Sequence, residues 1–306
     1  MDKEIERIID NIKSLKIQGA RNVAKAVLNA IILQIKNSKA KSFDSLYSEL
    51  LVVTDALASA RPTEPMVRNS IKDMVNFTFM HMKKEKSIES LKKKIVSKSK
   101  SYLDDMKEDA ENLWQYGSRL IENGNVIMTH CHSSTVTGVL KKANELGKNF
   151  QVIACETRPR FQGRITAKDL SENGIDTTLI VDGGMNSFMR KVDLCIVGAD
   201  AIDSTGNLIN KIGTSTLAQI ARAHNVPFYC AAELYKYNPL TLYGNREIIE
   251  ERDSKEVWDN PPKKLKVRNP AFDITEARYI NAYITEGGLI PPHSFLAAFN
   301  KKLGLR

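Results

Sequence analysis

The apolar pattern of this chain changes its period once, and that change limits the fold more than any other feature. Up to about residue 120, apolar residues recur at the spacing of amphipathic helices. After the turn-forming run Glu122-Asn-Gly-Asn125, short β-branched runs alternate with helical stretches, which is typical of βαβ units in a parallel sheet. The sequence therefore predicts an α/β protein, with an all-helical amino-terminal domain at residues 1–121 and a Rossmann-like parallel-sheet domain at residues 122–306.

The same spacing predicts the individual elements. Helices are expected in the first domain at residues 5–15, 23–35, 46–57, 67–82 and 88–120. Strands are expected in the second domain at residues 126–129, 150–155, 177–181, 194–197 and 226–231. Helical stretches are predicted between them, at residues 136–146, 167–173, 186–189 and 216–224. The charged, proline-containing segment 246–269 is expected to form a long surface loop or arm.

The composition is that of an ordinary globular protein, with 42% apolar and 26% charged residues in 306. At this length two domains are expected, and one very large domain is the alternative. No run approaches the roughly 18 uninterrupted apolar residues of a membrane span. The charged start Met1-Asp-Lys-Glu-Ile-Glu6 is unlike a secretory signal. A cytoplasmic location without a membrane partner is therefore expected.

The net charge of +9 comes from 45 basic and 36 acidic residues, and much of the excess is lysine between residues 83 and 100. Nucleic-acid binding is one explanation of such a cluster. The lysines alternate with Ile88, Leu91 and Ile95 at helical spacing, however, which is typical of the solvated face of a helix. Nucleic acid is therefore not the expected partner, and the charge also suits an anionic small molecule.

The four cysteines, Cys131, Cys155, Cys195 and Cys230, are far apart in the sequence. Without a Cys-x-x-Cys pair they indicate neither a zinc site nor a redox dithiol, and no disulfide framework is expected. Three of them are expected to be small buried apolar residues, whereas Cys131 has polar neighbours on both sides. His130 and His132 flank it, but alternate residues of a strand point to opposite faces, so no metal or other cofactor is predicted.

Cys131 lies where the first predicted strand ends and a helix begins. In open parallel sheets, ligands bind beyond the carboxyl ends of the strands, and the N–H groups of a helix start attract an anion. The hydroxyls of Ser133, Ser134 and Thr135 would suit a phosphate there, although helix capping alone would explain one of them. A thiol beside this position can act as acid, base or nucleophile, so hydrolase and redox chemistry are also open.

Polar groups follow the other predicted strands too, and together they point to one crevice. The fourth strand ends in Gly198-Ala-Asp200, where a turn-forming Asp is the alternative. Asn210-Lys211 precedes the helix start Gly213-Thr-Ser215, which could hold a second anion, although no Walker spacing is present. The second strand runs into Glu156–Arg164, which is rich in guanidinium groups that match phosphate. Lys236 follows the fifth strand.

Four motifs occur in order along the chain: His130-Cys-His-Ser-Ser134, Glu156-Thr-Arg-Pro159 with Gln162-Gly163, Gly198-Ala-Asp200 and Asn210-Lys-Ile-Gly-Thr214. This ordered set resembles the motifs of the ribose-1,5-bisphosphate isomerases. These form a superfamily with the methylthioribose-1-phosphate isomerases and the regulatory subunits of eukaryotic initiation factor 2B. The resemblance covers nearly the whole chain. It implies that Cys131 and Asp200 are the catalytic pair, which initiation-factor subunits generally replace.

The resemblance also implies which residues bind substrate. They are Gln18, Gly19, Ala20, Arg21, Arg61, Ser133, Ser134, Thr135, Asn210, Lys211 and Lys236. Two positions depart from the isomerase pattern, since Gln18 stands where isomerases have Arg and His132 where they have Asn. Gln cannot supply the bidentate fork that arginine gives a phosphate, and Arg21 is the candidate to substitute for it.

The reaction implied is conversion of α-D-ribose 1,5-bisphosphate to D-ribulose 1,5-bisphosphate, within AMP and nucleoside degradation. Asp200 is expected to protonate the ring oxygen and Cys131 to remove the C2 proton. The helix start, nearby cations and His132 are expected to favour the thiolate, and a dry pocket to keep Asp200 protonated.

Two alternatives stay open, a methylthioribose-1-phosphate isomerase and a non-catalytic initiation-factor-like subunit that binds a sugar phosphate or nucleotide. By the same resemblance, the partners are a phosphorylated sugar, AMP as an activating nucleotide, and copies of the chain in a dimer or hexamer.

Overall fold

The computed structural model describes residues 1–304, which divide into two compact units. The first runs from Met1 to Glu108, and the second begins at Asp109. The division lies within one long helix, so about three turns at the end of that helix belong to the second unit. No helix among the described residues is long and apolar enough to cross a membrane.

The first unit is helical, and each of its helices was predicted by the apolar spacing. They are α1 (Lys3–Lys13), α2 (Ala20–Asn37), α3 (Phe43–Ala60), α4 (Pro65–Met82) and α5 (Ile88–Ser118), the last shared with the second unit. Side chains of Asp2 and Ser42 cap the starts of α1 and α3 by accepting N–H groups of the first turn. The apolar stripes are buried, as at Val27 and Leu50, and this burial is the main stabilisation of the helices.

The second unit contains the strands, which alternate with helices. In chain order the strands are β1 (Val126–His130), β2 (Gln151–Cys155), β3 (Asp176–Ile180), β4 (Leu194–Val197), β5 (Ala201–Ile202), β6 (Leu208–Lys211), β7 (Phe228–Ala231), β8 (Phe272–Thr275), β9 (Ala282–Thr285) and β10 (Gly288–Ile290). The main sheet has the order β10-β9-β7-β4-β1-β2-β3. It is parallel except for β10, which pairs antiparallel with β9.

Helices cover both faces of the main sheet. They are α6 (Ser134–Glu145), α7 (Gln162–Glu172), α8 (Met185–Met189), α9 (Thr214–Ala223) and α10 (Phe295–Lys302). Neighbouring residues of β1 enter different cores: Met128 packs in the core that contains Leu217 of α9, and Ile127 in the core that contains Val139 of α6. Both faces of the sheet are therefore buried at its centre, as in doubly wound proteins. The predicted fold class is confirmed.

A second, small sheet was not predicted. It has the order β5-β6-β8 and is antiparallel. Asn210 and Lys211 lie on β6 of this sheet. The strands β9 and β10 and the helix α10, all after residue 280, were also missed.

The segment 246–269 forms an irregular arm, as predicted. Its only helix among the described residues is a short 3-10 helix at Ser254–Glu256. Arg252 and Glu256 form an ion pair of 2.7 Å within the arm, and Arg160 reaches the same carboxylate at 3.0 Å. The arm is thus anchored to the loop that follows β2.

Candidate active site

The carboxyl ends of β1 and β4 form a topological switch point, because the chain continues from β1 to β2 and β3 on one side and to β4 on the other. Met128 of β1 pairs with Cys195 of β4, so Cys131 and Gly198, each three residues further on, leave the same edge of the sheet. A Cβ atom at Gly198 would lie 2.6 Å from Ser133 Oγ, so glycine is needed for this approach. Ligand crevices in open parallel sheets lie at such points.

Cys131 is held in the left-handed backbone region, with φ of 69°, which is uncommon for a cysteine. Burial raises the pKa of its thiol to about 11; Lys211 acts to lower that pKa and Asp200 to raise it. The expectation that the surroundings favour the thiolate is therefore wrong, because the effect of burial on the pKa of the thiol outweighs that of the nearby cation. As predicted, the other three cysteines are fully buried.

The two histidines beside Cys131 contact different parts of the protein. His130 is buried with its Nε2 3.9 Å from Asp182 Oδ1, and His132 has its Nδ1 3.0 Å from Thr166 Oγ1. Burial lowers the pKa of both rings. His132 is therefore neutral at pH 7 and adds no positive charge beside the thiol, which corrects the role expected of it. No cluster of three or more His, Cys, Asp or Glu side chains that could hold a metal occurs within residues 1–304.

The hydroxyl residues after Cys131 have separate roles at the start of α6. Ser133 is the N-cap, with its Oγ 3.4 Å from an N–H of the first turn, and Ser134 is exposed. Thr135 is buried and its Oγ1 donates to Glu233 Oε1 over 3.4 Å. The other oxygen of Glu233 lies 3.2 Å from Lys236 Nζ. Glu233 thus joins Thr135 and Lys236, two predicted binding residues from different strand ends.

The small sheet connects Asp200 to Asn210 and Lys211. The N–H of Asp200 donates to the main chain of β6 over 3.0 Å, at the residue before Asn210. Asn210 Nδ2 donates to Thr214 Oγ1 over 3.0 Å, and Lys211 Nζ lies 4.9 Å from the centre of the Phe272 ring. Asn210 and Lys211 are both buried. The predicted acid and two predicted binding residues therefore share one short hairpin.

The start of α9 is occupied by a carboxylate of the protein itself. Asp273 of β8 accepts the Gly213 N–H over 2.7 Å and the Ser215 N–H over 3.1 Å. Burial raises the pKa of Asp273 to about 6, although these two hydrogen bonds act to lower it. The expectation that this helix start holds a second anion is therefore wrong, because two of its N–H groups are already used.

The guanidinium groups between residues 156 and 164 also bind the protein itself. Arg158 Nη2 donates to a main-chain carbonyl of the arm over 2.9 Å, and Arg160 pairs with Glu256 at 3.0 Å. Arg164 pairs within its own segment at 3.0 Å. The arginines expected from the sequence to match phosphate thus serve to anchor the arm and the loop.

The five predicted binding residues of the first unit lie at helix ends. Gln18–Gly19 is in the turn before α2, and Gly19, with φ of 84°, is the N-cap of that helix. Ala20–Arg21 begins α2 and is buried. Arg61 ends α3, with its Nη2 3.1 Å from Oε1 of the buried Glu64. Arg61 is thus held by an ion pair within its own unit.

A sequence profile of the initiation factor 2 subunit family matches residues 16–292. This chain belongs to that family. Six archaeal members named ribose 1,5-bisphosphate isomerase are 34–38% identical to it. The one from Pyrococcus furiosus is 38% identical over 307 residues, which covers 99% of this chain and 95% of the relative. The resemblance stated from the motifs is confirmed.

Other members of the initiation factor 2 subunit family carry other names. A protein of Geotalea uraniireducens named methylthioribose-1-phosphate isomerase is 35% identical, over 94% of this chain and 87% of the relative. A Pyrococcus horikoshii structure described as translation initiation factor eIF-2B has a TM-score of 0.81 at 29% identity, covering 95% of this chain and 98% of that one. The family therefore includes both isomerases and initiation factors with this fold.

Three residues of this family member form hydrogen bonds or ion pairs around the predicted site residues but were not themselves predicted as site residues. Thr157 and Asp182 are linked to Cys131 by hydrogen bonds, and Glu233 contacts Lys236. Asp182 follows β3, and a carboxylate after a strand is the signal that marks Asp200, so the same criterion would have found it. Thr157 lies within the motif Glu156-Thr-Arg-Pro159, but its partner is not evident from the sequence, and Glu233 has no signal at all, since both roles depend on long-range hydrogen bonds.

Proposed function

We propose that this protein is a ribose 1,5-bisphosphate isomerase, which converts α-D-ribose 1,5-bisphosphate to D-ribulose 1,5-bisphosphate. The observation that carries the proposal is the near-full-length similarity to archaeal relatives of that name. The second unit supports it, because a thiol and a carboxylate follow adjacent strands at the switch point. Two buried lysines, Lys211 and Lys236, offer positive charge for a substrate with two phosphates.

Cys131 and Asp200 are proposed to move the protons. Asp200 gives a proton to the furanose ring oxygen as the ring opens. Cys131 then removes the C2 proton to form an enediol phosphate and returns it to C1, while the C2 hydroxyl gives its proton to the Asp200 carboxylate, which leaves the ketose and restores both groups. The reaction must therefore begin with the proton on Asp200 and not on Cys131. Charged Asp200 raises the pKa of Cys131, so protonation of Asp200 makes the thiolate easier to form.

The remaining predicted residues are proposed to bind the substrate. Lys211 has two effects, because the charge that would attract a phosphate also lowers the pKa of Cys131. Ser133, Ser134, Thr135, Asn210 and Lys236 would contribute hydroxyl, amide and ammonium groups from the second unit. Gln18, Gly19, Ala20, Arg21 and Arg61 are proposed to bind substrate as well.

Substitution of the proposed catalytic pair tests this function. Cys131→Ser and Asp200→Asn should fold and show no turnover of ribose 1,5-bisphosphate, measured as ribulose 1,5-bisphosphate by ¹³C NMR. The matched controls are Cys195→Ala in the core and Asp169→Asn in a surface ion pair, which should remain active. Substantial turnover by either catalytic variant would contradict the assigned roles.

A binding role for Arg61 has a different kinetic signature. Arg61→Ala should raise KM with little change in kcat, because it removes binding that is equal in the ground and transition states. The exposed Arg7→Ala is the charge-matched control. A fall in kcat at unchanged KM would instead indicate a role in the chemical step.

Methylthioribose-1-phosphate isomerase is the second candidate, because a relative of that name is 35% identical. Its sugar carries a thioether in place of the 5-phosphate, so it needs an apolar contact where the bisphosphate needs a cation. The ratio of kcat/KM values on the two sugars decides between them. If the bisphosphate is the substrate, Lys236→Met should lower its kcat/KM without creating activity on the thioether sugar.

A non-catalytic initiation-factor-like role is the third candidate, because the P. horikoshii neighbour is described as an initiation factor. The presence of both Cys131 and Asp200 favours the enzyme, since a subunit that only binds a ligand needs no proton-transfer pair. Binding of ribose 1,5-bisphosphate with no ketose formed after prolonged incubation would favour this alternative.

Self-association, AMP activation and a cytoplasmic location are further parts of the proposal. Four large apolar side chains, Leu240, Leu242, Tyr243 and Ile248, are exposed within a nine-residue stretch, which is typical of a surface that another protein covers. Light scattering should give a dimer or hexamer of the 34.3 kDa chain. Turnover measured with and without AMP tests the activator.

A further inference from the structure

Both main-chain polar groups of Cys131 are bound by buried threonine hydroxyls. Thr157 Oγ1 accepts the Cys131 N–H over 2.8 Å and donates its own proton to the Cys155 carbonyl over 3.1 Å. Thr166 Oγ1 donates to the Cys131 carbonyl over 2.9 Å. The two threonines come from the loop after β2 and from α7, and they are 0% and 1% exposed. Both hydroxyl groups are therefore shielded from bulk water.

Asp182, which follows β3, fixes the loop that carries Thr157. Its Oδ1 accepts the Thr157 N–H over 2.8 Å and its Oδ2 accepts the Arg158 N–H over 2.7 Å. Thr157 is itself in the left-handed region, with φ of 63°. The ends of three neighbouring strands are thereby joined in series, because Asp182 binds Thr157 and Thr157 binds Cys131.

The single hydroxyl proton of Thr166 determines which partner donates in the contact between His132 and Thr166. The Thr166 hydroxyl has one proton, and it is given to the Cys131 carbonyl. In its 3.0 Å contact with Thr166 Oγ1, His132 Nδ1 must therefore be the donor. The ring thus carries a proton on Nδ1. An asparagine side chain also has an N–H donor, so the departure from the isomerase pattern at position 132 keeps a donor there.

We propose that Thr157, Thr166 and Asp182 are positioning residues that hold Cys131 in its left-handed conformation and so fix its thiol, given the isomerase function proposed above. Without these bonds the residue would relax toward the negative φ that non-glycine residues prefer. That rotation redirects the Cα–Cβ bond and moves the sulfur. Removal of a proton from carbon depends on this placement, and a displacement of about 1 Å costs on the order of 10²-fold in rate.

Turnover by Thr157 variants tests the proposal. Thr157→Val keeps the side-chain volume and removes the hydroxyl, so kcat should fall on the order of 10²-fold. KM should stay within about twofold, because the phosphate-binding groups remain. Thr157→Ser restores the hydroxyl and should recover most of kcat. The matched control is Thr78→Val in α4, which loses a buried hydroxyl that donates to a main-chain carbonyl over 2.9 Å and should leave kcat unchanged.

A measurement without substrate separates this proposal from the proposed function. Release of Cys131 exposes its thiol to water, so Thr157→Val should increase the alkylation rate of Cys131 by iodoacetamide at pH 8 about tenfold, measured by peptide mass spectrometry. If the wild type does not isomerise the bisphosphate but the variant is still alkylated faster, the isomerase function fails and the positioning role stands. Wild-type kcat and alkylation rate in Thr157→Val would overturn the positioning role.

Two further variants test the other positioning residues, Thr166 and Asp182. They also test the proposal if Thr157→Val does not fold. Thr166→Val frees the Cys131 carbonyl and should give the same pattern of lower kcat at similar KM. Asp182→Asn keeps one acceptor oxygen and places an amide N–H opposite a main-chain N–H, so it should give a smaller loss of kcat. Unchanged kcat in both variants would overturn the proposal.

Discussion

At the sulfur of Cys131, burial and the nearby Lys211 cation shift the pKa of the thiol in opposite directions. Burial raises the pKa of the thiol to about 11, and the Lys211 ammonium acts to lower it. Most of the thiol is therefore protonated at neutral pH in the free protein. Protonation of Asp200 removes one of the charges that raise the pKa of this thiol.

The high pKa of Cys131 predicts its reactivity. The thiolate is the reactive form, so the alkylation rate of Cys131 should rise about tenfold per pH unit from pH 7 to 10. Lys211→Met should slow the reaction throughout this range, because it removes the cation that lowers the pKa. The buried Cys155, Cys195 and Cys230 should stay unlabelled in the native protein and serve as internal controls. A plateau in rate near pH 8.5 would contradict the prediction.

Asp273 at the start of α9 predicts a pH dependence of stability. Its pKa is raised in the folded protein from an ordinary 3.8 to about 6, so the folded state binds the proton more tightly than the unfolded state. The free energy of unfolding should therefore fall as pH rises between these values, relative to Asp273→Asn, which cannot titrate. Urea unfolding of both proteins at several pH values measures the difference. A difference that stays constant or grows with pH would contradict the prediction.

At the scale of elements, α10 is fastened to the sheet through Lys302. Its Nζ lies 2.6 Å from Asp109 Oδ2 and 2.7 Å from Glu286 Oε1. The Glu286 carboxylate also accepts the Leu234 N–H over 3.1 Å, at the start of the 3-10 turn that ends at Lys236. A helix near the end of the chain is thus connected to a proposed phosphate-binding lysine.

Removal of the Lys302 charge should destabilise the second unit. Lys302→Met leaves two carboxylates facing each other, Asp109 and the largely buried Glu286, and breaking a buried ion pair in this way costs about 3 kcal/mol. Adding Glu286→Gln should recover part of the loss, because it removes one of the two charges. Urea unfolding measures both changes. Equal stability of Lys302→Met and the wild type would show that solvent already screens the cluster.

The elements that the sequence predicts are those whose signal is local. An amphipathic helix such as α2 repeats its period over 18 residues, so its existence and face are evident without the rest of the chain. The strand β5 has two residues, and β6 ends in Asn210-Lys211 and pairs with β8 some 60 residues later. Such short strands become strands only through their partners, which no local pattern reveals.

The features of the candidate site also divide into those that a local sequence pattern predicts and those that depend on distant residues. Cys131 and Asp200 could be proposed as site residues because reactive residue types at strand ends are visible in the sequence. The binding of Asp273 to the N–H groups at the start of α9 could not be predicted, because Asp273 is 60 residues from Gly213. The raised pKa of Cys131 could not be predicted either, since it depends on how completely packing removes water from the sulfur.

At the scale of the whole molecule, the net charge of +9 should guide an anionic substrate to the protein. For ribose 1,5-bisphosphate, kcat/KM should fall as KCl rises from about 50 to 500 mM, because salt screens attraction beyond roughly 10 Å. The kcat at saturating substrate should change little, which serves as the internal control. Steady-state kinetics at several salt concentrations measures both. An equal fall in kcat would point to an effect on structure.

The left-handed backbone at Cys131 sets the proposed catalytic role of its thiol against the stability of the fold. A side chain at φ of 69° costs about 1 kcal/mol that glycine would not. A lineage released from selection for turnover would gain stability by exchanging this cysteine for glycine. Loss of the thiol is therefore the change expected first in a descendant that keeps the fold and abandons the chemistry.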